Sequence, residues 1–164
     1  MSPVIANYME VRAAIDAAAR EAHRDPAEIR LLAVSKTFPV EPIRELYDAG
    51  VRAFGESRVT ELAEKAARLP EDIEWHFIGH LQTNKVKYIA PYISMIESVD
   101  SLKLLKEIEK QAAKHNRVVK VLLELHLAEE DTKSGLSLDA CRELLEAGEC
   151  RSEYGAWQTG RLLR

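Results

Sequence analysis

Apolar positions along this chain switch repeatedly between two spacings. From Pro3 to His23 they recur at helical intervals, at Val4, Tyr8, Val11, Ile15, Ala18 and Ala22. Pro3 suits the first helical position, and His23 to Asp25 ends the helix. Leu31-Leu32-Ala33-Val34 is instead a continuous apolar run, which predicts a strand buried on both faces. Pro39 has no N–H for a sheet ladder, so that strand must stop before it. A helix over 42–49 follows, with Ile43, Leu46 and Tyr47 on one face and Gly50 as its stop. Val51 to Gly55 reads as a strand, and Val59, Leu62, Ala63 and Ala66 as the inner face of a helix that ends before Pro70. The spacing then predicts a strand over 74–79, a short basic helix over 81–90 and a strand over 92–99. Asp100 or Ser101 caps a helix carrying Leu102, Leu105, Ile108 and Ala112. A fifth strand runs over 118–127, and a sixth helix over 138–147 precedes Gly148.

The order is a helix followed by repeated strand–helix units with short loops, and no hairpin signal joins two strands. Parallel strands with crossover helices follow from that pattern. An open doubly wound sheet and part of a (β/α)8 barrel both fit. No glycine-rich phosphate fingerprint follows the first strand, which weakens the dinucleotide-binding form of the open sheet.

Polar residues gather at the predicted strand ends: Lys36, Glu56-Ser57, His80, Ser98 to Asp100 and His126. In parallel α/β folds those ends meet on one face, where sites are built. Each residue also has a plain structural reading, with Glu56 or Asp100 as a helix cap and His126 as a half-buried strand residue. Their joint placement on one rim is harder to explain by caps alone. Lys36 is the reactive candidate. An amine at the end of a buried strand is expected to be partly desolvated, which lowers its pKa and makes it a nucleophile toward aldehydes.

Composition narrows the function. A net charge of −4 and a sequence pI of about 5.8 argue against a nucleic-acid protein. Cys141 and Cys150 lack metal or redox spacing, so a reducing compartment is the simple reading. The chain starts without a basic segment leading into an apolar run, and none approaches the roughly 20 residues that span a bilayer. A soluble, cytoplasmic protein without membrane partners is expected.

Three stretches carry a resemblance: Leu32-Ala33-Val34-Ser35-Lys36-Thr37, Phe54-Gly55-Glu56-Ser57-Arg58-Val59, and Trp75-His76-Phe77-Ile78-Gly79-His80-Leu81-Gln82-Thr83-Asn84-Lys85. Glu129-Glu130-Asp131-Thr132-Lys133-Ser134-Gly135 adds a fourth. In order and spacing they resemble the pyridoxal phosphate homeostasis protein family, which is similar in fold to the N-terminal barrel of alanine racemases. The resemblance covers residues 3–148. It implies an α/β fold: an incomplete (β/α)8 TIM-type barrel of about five parallel strands with an extra N-terminal helix. It implies pyridoxal 5′-phosphate held as a Schiff base on Lys36, with Val34, Ser57, His80 and Asn84 as further cofactor-binding residues and no metal. The family often has asparagine where this chain has Ser57, and serine offers no amide. Lys133 falls in the loop after the fifth strand.

Family members carry and buffer the cofactor rather than turn over a substrate. The resemblance therefore implies intracellular cofactor homeostasis, with the cofactor and the apoenzymes that use it as partners, in a monomer. A racemase-like enzyme and an inactive truncated fragment are the alternatives. A racemase needs a second acid/base group and an added domain, and neither is evident. The barrel-like domain is expected over 1–150. Residues 151–164 have no strand period and no phosphate loop, and are expected to be a tail outside the family pattern. A shifted reading frame near that point and a natural domain boundary are the competing accounts.

Overall fold

The computed structural model describes residues 2–126 and 135–146. Helix α1 spans Pro3–Glu21. Ser2 caps it, its hydroxyl accepting from the Ile5 N–H at 3.4 Å, and Pro3 occupies the first turn where a missing N–H costs nothing. Arg12 reaches from α1 to a 3-10 turn at Pro26–Glu28, donating to the carbonyls of Ile29 at 2.6 Å and Pro26 at 2.7 Å. The extra helix is thereby fastened to the segment that enters the sheet.

The sheet and its crossovers follow in strict alternation. They are β1 Ala33–Val34, α2 Val40–Asp48, β2 Ala53–Glu56, α3 Val59–Ala66, β3 Glu74–Phe77, α4 Val86–Ile89, β4 Met95–Val99, α5 Leu102–Lys114, β5 Lys120–Leu123 and α6 Leu138–Glu146. A 3-10 turn at Thr83–Lys85 leads into α4. All neighbouring strands pair in parallel, in the order β1-β2-β3-β4-β5. That sequential order is the order of a (β/α) barrel, whereas a doubly wound sheet reverses direction at a switch point. The described strands therefore form an incomplete barrel wall.

Side-chain alternation sorts the two faces. Phe54, Trp75, Phe77, Ile96 and Val99 are buried in one cluster with Ile43, Leu62, Ile89, Leu104 and Ile108 of the helices. Phe54 and Trp75 meet with ring centroids 6.0 Å apart and planes tilted at 48°. The other face carries Val34, Gly55, His76, Met95 and Lys120, which the strand registers align across the sheet.

Several elements are shorter than the sequence pattern suggests. The first strand is Ala33–Val34, not 31–34, and it is not buried on both faces, because Val34 is 48% exposed. It is a sheet edge with a partner on one side only. The basic helix expected over 81–90 divides into the 3-10 turn and α4. The fifth strand begins at Lys120, leaving Val118 86% exposed. Val121, Leu123 and Leu125 are half-buried. Beyond Leu123 the edge gains a parallel bridge from Leu125 to Leu136. Gly135, at φ 138°, allows this return, since a Cβ there would lie 2.7 Å from the His126 nitrogen. Residues 127–134 with Lys133, the tail 151–164 and Cys150 lie outside the described residues. Cys141 is a buried free thiol. Among the described residues no helix is long and apolar enough to cross a membrane.

Candidate functional site

The C-terminal ends of β1 to β4 form a rim, and β1 supplies its lysine. Ser35 extends the ladder by one residue, its N–H donating to the Gly55 carbonyl at 2.9 Å. Its side chain turns into the helix layer. Ser35 Oγ donates to Glu56 Oε1 at 2.6 Å, and the residue is 6% exposed. Lys36, next in the chain, is exposed. The expected partial desolvation of its amine is therefore absent, because β1 is an edge that the described residues leave open on one side. Among the described residues Lys36 has no hydrogen-bond or ion-pair partner, so its amine is accessible.

Thr37 adopts φ 69°, a left-handed conformation that a β-branched residue avoids. Such strain costs on the order of 1–3 kcal/mol and persists only where surroundings enforce it. Here two bonds do so. The Thr37 N–H donates to Glu61 Oε1 at 2.6 Å, and the Phe38 N–H donates to the Ser35 carbonyl at 3.1 Å.

Beneath this turn lies Lys65, a lysine only 4% exposed. Its Nζ donates to the Ser35 carbonyl at 2.8 Å, to Glu56 Oε1 at 2.7 Å and to Glu61 Oε1 at 2.7 Å, which uses all three ammonium hydrogens. The hydrogen bond from Lys65 holds the Glu61 carboxyl below its ordinary range, with the Thr37 N–H acting in the same direction. Glu56 is fully buried within this network. It is neither a helix cap nor a rim group. The charge on Lys65 stabilises it from the helix side.

The other strand ends close in a chain. Ser57 and Gly79 touch, since a Cβ on Gly79 would fall 2.8 Å from Ser57 Cα. Ser98 Oγ donates to the Gly79 carbonyl at 2.5 Å. His80 Nδ1 lies 3.2 Å from Asp100 Oδ2. The cap of α5 is Ser101 alone, accepting from the Leu104 N–H at 3.3 Å, which leaves Asp100 to face His80. His126 is half-buried and tied by its backbone to Leu136. Of the expected cofactor-binding residues, Val34 and Lys36 share β1 and its turn. Ser57 and His80 are drawn together through Gly79. Asn84 is exposed in the 3-10 turn, with no bond to the other four among the described residues.

Pattern reading missed two features. One is Lys65, whose inward position on α3 follows from helical spacing after Leu62 but whose charge argued for solvent. The other is a pair on the sheet face opposite Trp75 and Phe77: His76 Nδ1 and Glu97 Oε1 are 2.6 Å apart, with the histidine 5% exposed. Alternation within Glu74-Trp75-His76-Phe77 would have placed His76 opposite the two aromatic rings. Among the described residues no cluster of His, Cys, Asp or Glu is arranged to hold a metal ion.

A family profile described as "Alanine racemase, N-terminal domain" matches residues 8–154. The chain belongs to this family. Within it, the chain is 44% identical over 133 residues to the pyridoxal phosphate homeostasis protein of Aquifex aeolicus, covering 80% of this chain and 58% of that one. It is 38% identical over 151 residues to the protein of the same name from Escherichia coli K12, covering 90% and 64%. Among solved structures it is similar to PipY of Synechococcus elongatus with pyridoxal phosphate bound, at TM-score 0.68 and 34% identity over 81% of this chain and 62% of that one. A protein of Bifidobacterium adolescentis matches with TM-score 0.71 and 35% identity, covering 80% and 58%. The chain thus spans about three fifths of the length of these racemase-domain relatives.

Proposed function

We propose that this chain binds pyridoxal 5′-phosphate through the Lys36 amine and serves intracellular cofactor homeostasis. The observation that carries the reading is an exposed lysine amine at the end of β1 with no partner among the described residues, the backbone on either side of it held by the Lys65 ionic network. The fit is in the donor chemistry. An aldehyde cofactor needs a primary amine that it can approach from solvent, and Lys36 is one. Exposed Val34 offers apolar surface beside it, Ser57 and His80 offer polar groups past the ends of β2 and β3, and Asn84 is exposed in the 3-10 turn that follows. The names of the Aquifex and Escherichia relatives and the cofactor in PipY support the same reading.

When bound, the cofactor supplies an electrophilic aldehyde and a protonatable pyridine ring. The protein's part is to present Lys36 and to keep a polar rim around it. The chain acts as a monomeric, cytoplasmic carrier that releases cofactor to apoenzymes. Titrating the purified chain with pyridoxal 5′-phosphate tests this, by absorbance and by borohydride trapping followed by peptide mass analysis. Cofactor trapped at Lys36, and lost in Lys36→Ala, is the expected result. Equal trapping in Lys36→Ala, or none in the wild type at saturating cofactor, overturns it.

A further inference from the structure

We infer that Glu61, held by Lys65, is a positioning residue that sets the direction in which Lys36 leaves the sheet. The inference rests on the proposed role of Lys36 and adds the device that aims it.

Two independent contacts bracket the lysine. On its N-terminal side, Lys65 Nζ donates to the Ser35 carbonyl at 2.8 Å, and Ser35 Oγ donates to Glu56 at 2.6 Å. On its C-terminal side, the Thr37 N–H donates to Glu61 Oε1 at 2.6 Å. One ammonium joins the two sides, because Lys65 binds Glu61 and Glu56 at 2.7 Å each.

The bonds hold the turn in a costly conformation: Thr37 stays at φ 69° while its N–H is bound to Glu61. Residues kept in sparsely populated backbone regions mark places where the surroundings over-determine a geometry. The residue whose exit direction that geometry fixes is Lys36, since its backbone lies between the two clamped peptides. A lysine stem has several free torsions, so an anchored backbone limits where its amine can reach.

Glu61 is the member to test. It lies on α3 with its side chain 20% exposed, so its loss opens no large cavity, unlike loss of the fully buried Glu56. Replacing Glu61 by Ala removes the acceptor for Thr37. Glu61→Gln keeps an oxygen acceptor and loses only the charge.

Two readouts are taken on the full chain. Amide hydrogen exchange reports Thr37 directly, without cofactor. Borohydride trapping at a fixed, sub-saturating concentration of pyridoxal 5′-phosphate reports the reach of Lys36. Glu61→Ala is expected to speed Thr37 exchange and lower the initial trapping rate at Lys36 about tenfold, while Glu61→Gln recovers most of both. Unchanged Thr37 exchange in Glu61→Ala overturns the inference. So does faster exchange with an unchanged trapping rate. If the wild type traps no cofactor, the proposed function fails. Positioning is then judged by exchange together with the labelling rate of Lys36 by a neutral amine reagent, and an unchanged labelling rate in Glu61→Ala overturns it. Should Glu61→Ala unfold, Glu61→Asp substitutes, because its carboxylate is one methylene shorter and falls away from the Thr37 N–H. Faster Thr37 exchange with slower trapping at Lys36 supports the inference, and wild-type values of either overturn it.

Discussion

Gly79 and Ser57 are packed so closely that a side chain at position 79 would displace the β2 loop: a Cβ there would lie 2.8 Å from Ser57 Cα and 2.9 Å from its carbonyl carbon. The contact joins two neighbouring strand ends, and both obstructing atoms are backbone. Neither can swing aside as a side-chain tip would. Gly79→Ala is therefore expected to destabilise the chain by about 2 kcal/mol, read as a lower urea midpoint with an unchanged slope. An unchanged midpoint would mean that the two loops part at little cost.

Gly50 isolates backbone conformation from packing. It follows α2 at φ 98°, and nothing lies within 4 Å of where a Cβ would stand. Gly50→Ala should cost about 1 kcal/mol by conformational strain alone, and Gly50→Asn less, because asparagine tolerates the left-handed region. Denaturant midpoints of the two variants check this ranking.

Tyr92 buries a hydroxyl that has no hydrogen-bond partner among the described residues. Burial alone pushes its pKa up to about 12 from 10.0. An unsatisfied buried donor costs free energy, so Tyr92→Phe is expected to stabilise the chain by about 1 kcal/mol at neutral pH. The sign with pH follows from the raised value. Burial penalises the ionised phenolate in the folded state, so this group leaves stability unchanged below pH 10 and lowers it as pH rises toward 12. Wild type should weaken across that window more than Tyr92→Phe does, in midpoints measured at pH 8 and at about pH 11.

Glu61 titrates in the opposite sense. Its folded pKa lies below the ordinary value of 4.5, chiefly because Lys65 donates to it. Its contribution is present above pH 4.5 and disappears as pH falls through the lowered folded value. Acid titration of stability should be steeper for wild type than for Glu61→Gln below pH 4.5. Parallel curves would remove Glu61 from the set of acid-sensitive groups.

Much of the fold was legible as periodicity. Leu102, Leu105, Ile108 and Ala112 mark α5 at helical spacing, and of these Leu105, Ile108 and Ala112 are buried. Gly50 ends α2 as a residue in the left-handed region should. Strand lengths were less legible, because an apolar run such as Leu31 to Val34 records only that these residues avoid water. Pairing is a property of the neighbour, and β1 pairs over two residues. The rim was legible as a set of strand ends, but its wiring was not. Glu56 and Ser57 are adjacent in sequence, and strand alternation sends the first into the helix layer and leaves the second at the mouth.

By itself the sequence determined that this is a parallel α/β chain with a lysine closing its first strand, because hydrophobic period and proline position are local properties. It also carried the family, through motifs whose order survives without coordinates. Only the tertiary structure decided between barrel order and a doubly wound sheet, and only it joined Lys65 to both flanks of Lys36. Those relations link residues 24 and 30 positions apart, and a local pattern holds no information about which distant charge will be buried beside which backbone oxygen.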